Sequence, residues 1–292
     1  MLNVLSTLRD ILTVTVTDDS SVSLEIVPKC DRLESVTIDV PVEDNLVVRA
    51  WRAFWREFTG VEPEFGAHFR LEKAIPVGAG LGGGSSDAAA LLRFITHSYG
   101  SVIRERLNIS PAEFDSRILR VALSLGADLP YAFIGGVAWV RGVGEQVVPL
   151  SGFKGFKQRV LISIPRVSVS TADLYRLFRE QYPEISIFSN EAALGIDTAF
   201  SELVASGLDG ARLVKCYNEV ICNDFEGVIV GFYPEVGELL SLARLSLAGV
   251  SSITGSGSAI FSLVSDSFDV SQYIALAARL GAQVSEGWIG DV

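Results

Sequence analysis

PVGAGLGGGSSDAAA, running from Pro76 to Ala90, is the stretch on which the reading of this chain turns. Glycine stands at 78, 80, 82, 83 and 84, followed by two serines, an aspartate and a run of alanines. Glycine is costly to order and serves where a backbone visits positive φ or something bulky lies against it, so this cluster argues for a ligand at the backbone. Upstream, Phe65–Leu71 alternates apolar and polar residues as a strand does. From Ser86 the small and apolar residues run as a helix. The order is therefore strand, glycine loop, helix start. Loop amides and the unpaired donors of a first helical turn converge on one point and favour an anion there, and phosphate is the natural occupant.

Two other phosphate motifs compete for the same residues. Gly78, Gly80 and Gly83 satisfy a GxGxxG spacing, but any run this rich in glycine meets it by chance. No GxxxxGK[ST] occurs, so the nucleoside-triphosphate loop ending in lysine and serine or threonine is absent. A plain tight turn needs fewer glycines than this stretch carries.

The 292 residues suffice for one large or two medium domains, and 49% hydrophobic with 20% charged residues describes a globular chain. No apolar run spans a bilayer and Met1–Val16 lacks signal-peptide character, so a cytoplasmic protein without a membrane partner is expected. The formal charge of −11 argues against nucleic-acid binding. It also repels phosphorylated ligands, so a nucleotide site needs local positive potential from helix ends, a few basic side chains and a divalent cation. Cys30, Cys216 and Cys222 have no paired spacing and read as free thiols. His68 and His97, the two histidines, read as structural or solvent-facing, which leaves a Ser-His-Asp hydrolase poorly supported.

Along the chain, Ile11–Thr17 and Val22–Ile26 alternate on either side of an Asp18–Ser21 turn and predict a hairpin, with a further strand over Val36–Val40. Asp44 or Asn45 caps a helix whose face carries Val47, Trp51, Phe54, Trp55 and Phe58, closed by Gly60. A helix is expected from Asp87 to about Tyr99, stopped by Gly100. Another starts on the Ser110–Glu113 capping signal and ends at Gly126. Asp128 is then pinned between a helix stop and Pro130, either an ordinary turn residue or a functional carboxylate. A turn at Gly142–Glu145 follows, then a hinge candidate over Ser151–Lys157. Beyond it come a strand at Val160–Ile164, a helix capped by Thr171, a loop-rich stretch over Gln181–Ser201 and a helix from Pro234. A second small-residue loop, Ser252–Ala259, runs into a strand over Ile260–Val264, and Val270–Leu280 forms a last helix. Domains of 1–155 and 156–292 are expected.

Two glycine- and serine-rich loops with an aspartate between them suggest phosphoryl transfer. PVGAGLGGGSSDAA closely resembles the phosphate motif of the GHMP small-molecule kinases, and its GGGSS form is that of the branch acting on 4-diphosphocytidyl-2-C-methyl-D-erythritol. EDNLVVRA (Glu43–Ala50), Lys73, LGADLP (Leu125–Pro130), GVGE (Gly142–Glu145), NDFE (Asn223–Glu226) and TGSGS (Thr254–Ser258) carry the same resemblance. It implies an α+β GHMP kinase fold, with a ribosomal-protein-S5-like N-terminal domain and a ferredoxin-like C-terminal domain. It also implies ATP-dependent phosphorylation of the 2-hydroxyl of that substrate, in the non-mevalonate route to isoprenoids, by a monomer or homodimer.

The resemblance assigns residues as well. Pro76, Val77, Gly78, Ala79, Gly80, Leu81, Gly82, Gly83, Gly84, Ser85 and Ser86 hold the ATP phosphates, with Ser86 near the Mg²⁺-bound oxygens. Asn45 and Lys73 line the adenosine pocket, and Asp128 matches the catalytic aspartate. Gly255, Ser256 and Gly257 approach the substrate or close on the phosphates, while Thr171 and Tyr175 lie on the cytidine side. The family's opening P-A-K-x-N-L and D-G-Y-H segments have no counterpart here, since Leu2–Leu8 matches the sequence just after them, so no residue is assigned as the lysine of the first segment. Another GHMP kinase, for homoserine or mevalonate, or a non-catalytic nucleotide-binding relative, are the alternatives.

Overall fold

The computed structural model describes residues 4–29, 41–61, 63, 65–149, 157–183, 223–247 and 249–289. The strand expected over 36–40, the hinge over 151–156, most of the stretch 181–201 and the three cysteines lie outside these. The chain divides into two compact units, one of Arg9–Pro76 and Gly82–Pro149, the other of Leu2–Leu8, Val77–Leu81 and Leu150–Val292.

Strand β1 is Val4–Ser6, followed by β2 (Ile11–Thr17), β3 (Val22–Pro28), helix α1 (Leu46–Thr59), β4 (Gly66–Lys73), α2 (Gly83–Leu107), α3 (Pro111–Leu125) and α4 (Leu129–Ile134). Then come β5 (Ala138–Arg141), β6 (Gln146–Pro149), β7 (Gln158–Ile164), α5 (Thr171–Gln181), α6 (Glu226–Phe232), α7 (Pro234–Ser246), β8 (Ser251–Ile253), β9 (Ile260–Leu263), α8 (Ser271–Arg279) and β10 (Gln283–Ile289).

In the first unit β4 lies between β2 and β3, antiparallel to β2 and parallel to β3. The expected β2–β3 hairpin does not form. Ala67, Phe69 and Leu71 make the inner face of β4 the most thoroughly buried of the three, which suits it to the centre, whereas β2 leaves Ile11 and Val16 half-exposed. The short Asp18–Ser21 connection passes over the start of β4, where the Ser21 carbonyl accepts from the Ala67 amide at 3.0 Å. Gly66 is required there, because a Cβ on it would meet the Ser21 carbonyl oxygen at 1.8 Å.

Helix α1 is capped by Asn45, whose side chain accepts from the Val47 amide at 2.9 Å, and its apolar stripe covers the sheet. Trp51 is fully buried, edge-on to Trp55, Phe65 and Phe69 at 5.5–5.8 Å between ring centres, the geometry that aromatic quadrupoles favour. Helix α2 starts earlier than expected, inside the glycine run, and continues through Gly100. That glycine admits the Phe114 ring of α3, which a Cβ would meet at 3.2 Å. In α3 the Ser110 hydroxyl caps the Glu113 amide at 3.1 Å, but the Glu113 carboxylate pairs with Arg117 at 2.6 Å.

The second unit is built on an antiparallel sheet in the order β1-β10-β7-β9-β8. Its core gathers Leu161, Leu174, Phe178, Ile229, Leu239, Ile260 and Tyr273. Strand β10 carries Gly287 and mixed polar residues, and its amphipathic signal is too weak to read without its neighbour β7. Among the described residues no helix is long and apolar enough to cross a membrane.

The passage of Asp18–Ser21 over β4 is testable. Gly66→Ala is expected to lower unfolding free energy by about 1–3 kcal/mol through overpacking against a backbone carbonyl, read as a lower urea midpoint at unchanged slope. An unchanged midpoint would mean the connection does not cross there.

Candidate functional site

In the first unit the site begins at the N-terminus of α2. Gly82 sits just outside the helix at φ 66°, and nothing lies within 4 Å of the position a Cβ would take. The first intrahelical bond runs from the Ser86 amide to the Gly82 carbonyl at 2.9 Å, so the amides of Gly83, Gly84 and Ser85 have no acceptor within the helix. A left-handed residue beside open space, followed by unspent donors at the positive end of a 25-residue helix, is a cradle for an anion. A phosphate fits it, since the space a side chain would fill is left clear. Ser86 is exposed and Ser85 partly so.

Beneath this turn lies a buried ionic cluster. Lys73 continues the inward parity of Ala67, Phe69 and Leu71 at the end of β4, which carries its side chain into the interior, 7% exposed. A buried ammonium needs partners. It donates to Asp87 at 2.8 Å and to Asp10 in a shorter bond. The second oxygen of Asp10 accepts the amides of Ala74 at 2.6 Å and Ile75 at 2.9 Å. Burial works against the Lys73 charge, but Asp87 and Asp10 outweigh it and hold its pKa above the usual lysine value. Burial pushes the Asp87 carboxyl up to about 7, opposed by Lys73 and assisted by Asp10. Lys73, expected in the adenosine pocket, is thus spent on two carboxylates. Asp10 was not legible as a site residue from the sequence. The available signal was the lysine at an inward position of a strand, which demands buried acidic partners.

Asp128 precedes α4, exposed, and accepts no capping bond from that helix through its side chain. Its surroundings are fixed. Leu129, Pro130 and Tyr131 are buried, and Arg93 of α2 donates to the carbonyls of Ala132 and Phe133 at 2.6 and 2.9 Å, closing the far end of α4. From the other side comes the Gly142–Glu145 turn, where a Cβ on Gly144 would meet the Ala127 carbonyl oxygen at 2.0 Å. That turn is held by the Glu145 carboxylate, which accepts the Val143 amide at 2.7 Å. Its own and the Val143 amide keep its pKa below the ordinary value. A carboxylate without a partner among the described residues, on a braced turn, can orient a hydroxyl and take its proton.

Of the expected phosphate loop, Pro76 and Gly82–Ser86 belong to the first unit and Val77–Leu81 to the second. In the second unit the Gly78 carbonyl accepts the Val169 amide at 3.1 Å, and the Ala79 carbonyl accepts the Ala259 amide at 3.0 Å. Gly80, at φ 71°, lies against the 254–258 loop, where a Cβ would meet the Thr254 carbonyl oxygen at 2.3 Å and the Gly257 amide nitrogen at 2.8 Å. The structure therefore brings Ala79 and Gly80 together with Thr254, Gly255 and Gly257, whereas Gly78 lies against Ser168 and Val169. Asn223, which sequence reasoning did not single out as a site residue, donates to the carbonyls of Ile253 and Gly255, both at 2.9 Å, and anchors that loop. Thr171 does not cap α5. Ser170 does, accepting the Asp173 amide, because it is the residue with extended backbone, and the Thr171 hydroxyl meets that of Ser256 at 2.9 Å. Tyr175 is partly exposed and stands edge-on to Phe225 at 4.9 Å.

The GHMP kinases N terminal domain family matches residues 45–136, a span that takes in Lys73, Gly82–Ser86, Asp87 and Asp128. The 4-diphosphocytidyl-2-C-methyl-D-erythritol kinase of Thermosipho africanus is 33% identical over 234 residues, 80% of this chain and 74% of its own length. That of Prosthecochloris aestuarii is 34% identical over 244 residues, 82% of this chain and 74% of its own. A crystal structure of 4-(cytidine 5'-diphospho)-2C-methyl-D-erythritol kinase, 30% identical, superposes with a TM-score of 0.63, covering 99% of this chain and 89% of that one. The homoserine kinase of Cytophaga hutchinsonii, 21% identical with a TM-score of 0.67 over 96% of this chain and 86% of its own, shares the fold.

The seating of Gly80 against the 254–258 loop predicts that Gly80→Ala loosens that loop. The Ala259 amide, bonded to the Ala79 carbonyl, should exchange with solvent deuterium faster, by about tenfold for each 1.4 kcal/mol of lost local stability. Unaltered exchange at Ala259 would show that the two segments are not packed as described.

Proposed function

The chain belongs to the 4-diphosphocytidyl-2-C-methyl-D-erythritol kinase family of the GHMP kinases, and we propose that it transfers the terminal phosphoryl group of ATP to the 2-hydroxyl of 4-diphosphocytidyl-2-C-methyl-D-erythritol. The observation that carries this reading is the N-terminus of α2, with Gly82 beside open space and the amides of Gly83, Gly84 and Ser85 without an acceptor within the helix. On a chain of net charge −11, such a cradle supplies the local positive potential that a polyphosphate needs.

Phosphoryl transfer passes through a loose transition state and depends mostly on positioning and charge neutralisation. The amides at the start of α2, with Pro76 and Val77–Leu81, hold the phosphates, and Asn45 lies toward the adenosine. The Ser86 hydroxyl would lie beside a Mg²⁺ bound to the phosphates, whose chemistry would be to offset phosphate charge. The Asp128 carboxylate orients the acceptor hydroxyl and takes its proton as the new O–P bond forms. The bond from the γ-phosphorus to its bridging oxygen breaks, and ADP leaves with the electron pair. Gly255, Ser256 and Gly257 close on the phosphates or substrate, and Thr171 and Tyr175 lie toward the cytidine.

Asp128→Asn tests the assignment, because it keeps the shape of the turn and removes the proton acceptor. Turnover in an ADP-release assay with the methylerythritol substrate, ATP and Mg²⁺ is expected to fall by about 10²–10⁴, while the calorimetric affinity for ATP stays within about twofold. Retained turnover would remove Asp128 from the chemistry. Turnover with homoserine or mevalonate in place of the proposed acceptor would overturn the substrate.

A further inference from the structure

We propose that Asp10 is a positioning residue for the phosphate-binding turn, acting through Lys73 and Ile75 on Gly83. The inference rests on the reading of the α2 N-terminus as the site of the ATP phosphates and extends it to a residue outside the span 45–136 that the family domain matches.

The geometry runs in three steps. Asp10 lies in the segment between β1 and β2, with its side chain 4% exposed, and it spends both oxygens on the exit from β4. One accepts the backbone amides of Ala74 and Ile75, and the other takes the Lys73 ammonium. Lys73 and Ile75 are in turn the side chains on which the first turn of α2 rests. A Cβ on Gly83 would lie 2.9 Å from Cγ2 of Ile75 and 3.3 Å from Nζ of Lys73. Asp87, one turn further along α2, fixes the same ammonium from above at 2.8 Å. The height and tilt of the Gly83–Ser85 amides are therefore set from below by two side chains whose positions Asp10 dictates.

The arrangement is more than a buried salt bridge that holds the fold. Asp87 alone would match the charge of the ammonium and Asp10 takes a second of its donors, yet Asp10 also takes two consecutive main-chain donors immediately before Pro76. Backbone amides leaving a strand are otherwise free to turn toward water. Their capture fixes the direction in which the chain enters the glycine stretch. Misplacing a binding group by about 1 Å costs on the order of 10²-fold in a well-oriented reaction, so a support of this kind carries functional weight.

Asp10→Asn is the informative variant. The amide oxygen still accepts from Ala74 and Ile75, so the chain keeps a route to folding, while the Lys73 side loses its charge partner and faces an N–H₂ group. ATP and adenosine are titrated calorimetrically into the unmodified chain and the variant, with urea midpoints measured on both. The expected result is a loss of about tenfold or more in ATP affinity at unchanged stoichiometry, with adenosine affinity unmoved, because the displaced amides face phosphates only. Asp10→Glu, which keeps the charge but lengthens the side chain, is expected to recover part of the ATP affinity. Three results would overturn the inference: ATP affinity equal to that of the unmodified chain in a folded Asp10→Asn, equal losses for ATP and adenosine, or a fall in stoichiometry alone, which is the signature of partial unfolding. An unmodified chain that binds no ATP would instead overturn the reading of the site and the inference with it.

Discussion

The burial of the Lys73 ammonium is the constraint from which the rest of the first unit follows. Strand periodicity places it on the same face as Ala67, Phe69 and Leu71, and a cation in that position is tolerated only with anionic partners held at bonding distance. Those partners come from the segment before β2 and from α2. Satisfying one charge therefore ties together the strand that leads into the glycine stretch, the segment that precedes the sheet and the helix that leaves it. Removing one partner from such a cluster typically costs about 3–5 kcal/mol, because the remaining charge is left buried and uncompensated.

The glycine-rich stretch then has two different jobs. Gly82 is left-handed with clear space beside it, which suits a ligand, whereas Gly83 is pressed against Ile75 and Lys73, which suits only a missing side chain. Cradle and support are adjacent residues. Asp128 shows the complementary arrangement, an exposed carboxylate whose own oxygens are not spent on capping α4 while its neighbours are braced by Arg93 and by the turn at Gly144. A carboxylate without a partner among the described residues, on a rigid mount, has the character of a general base.

In the second unit the same economy appears in the loop between β8 and β9. Asn223 holds the carbonyls of Ile253 and Gly255, Thr254 and Ala259 close the loop by backbone and hydroxyl bonds, and Ala79 and Gly80 seat against it. The family resemblance names the NDFE and TGSGS motifs separately, and the fold joins them, with Asn223 anchoring a loop about thirty positions downstream.

What the sequence determined by itself is local. Capping residues and the 3.6-residue period placed α1 and α3, the glycine cluster marked the turn that opens α2, and the ordered set of motifs identified the kinase family. The helices and the glycine cluster rest on neighbours within a turn or two, the family on the order of motifs along the chain, and all of these are present in the unfolded chain. What the tertiary structure decided is which distant residues share a charge or a sheet edge. Periodicity cannot report that β4 separates β2 from β3, because alternation fixes which face a strand buries and not which strand it pairs with. Nor can it show that α2 runs through Gly100, since the reason is a phenylalanine ring on another helix. Asp10 is the sharpest case. It reads as one more acidic residue on an acidic chain, and only the fold brings it to Lys73, as a buried partner beneath the first turn of α2.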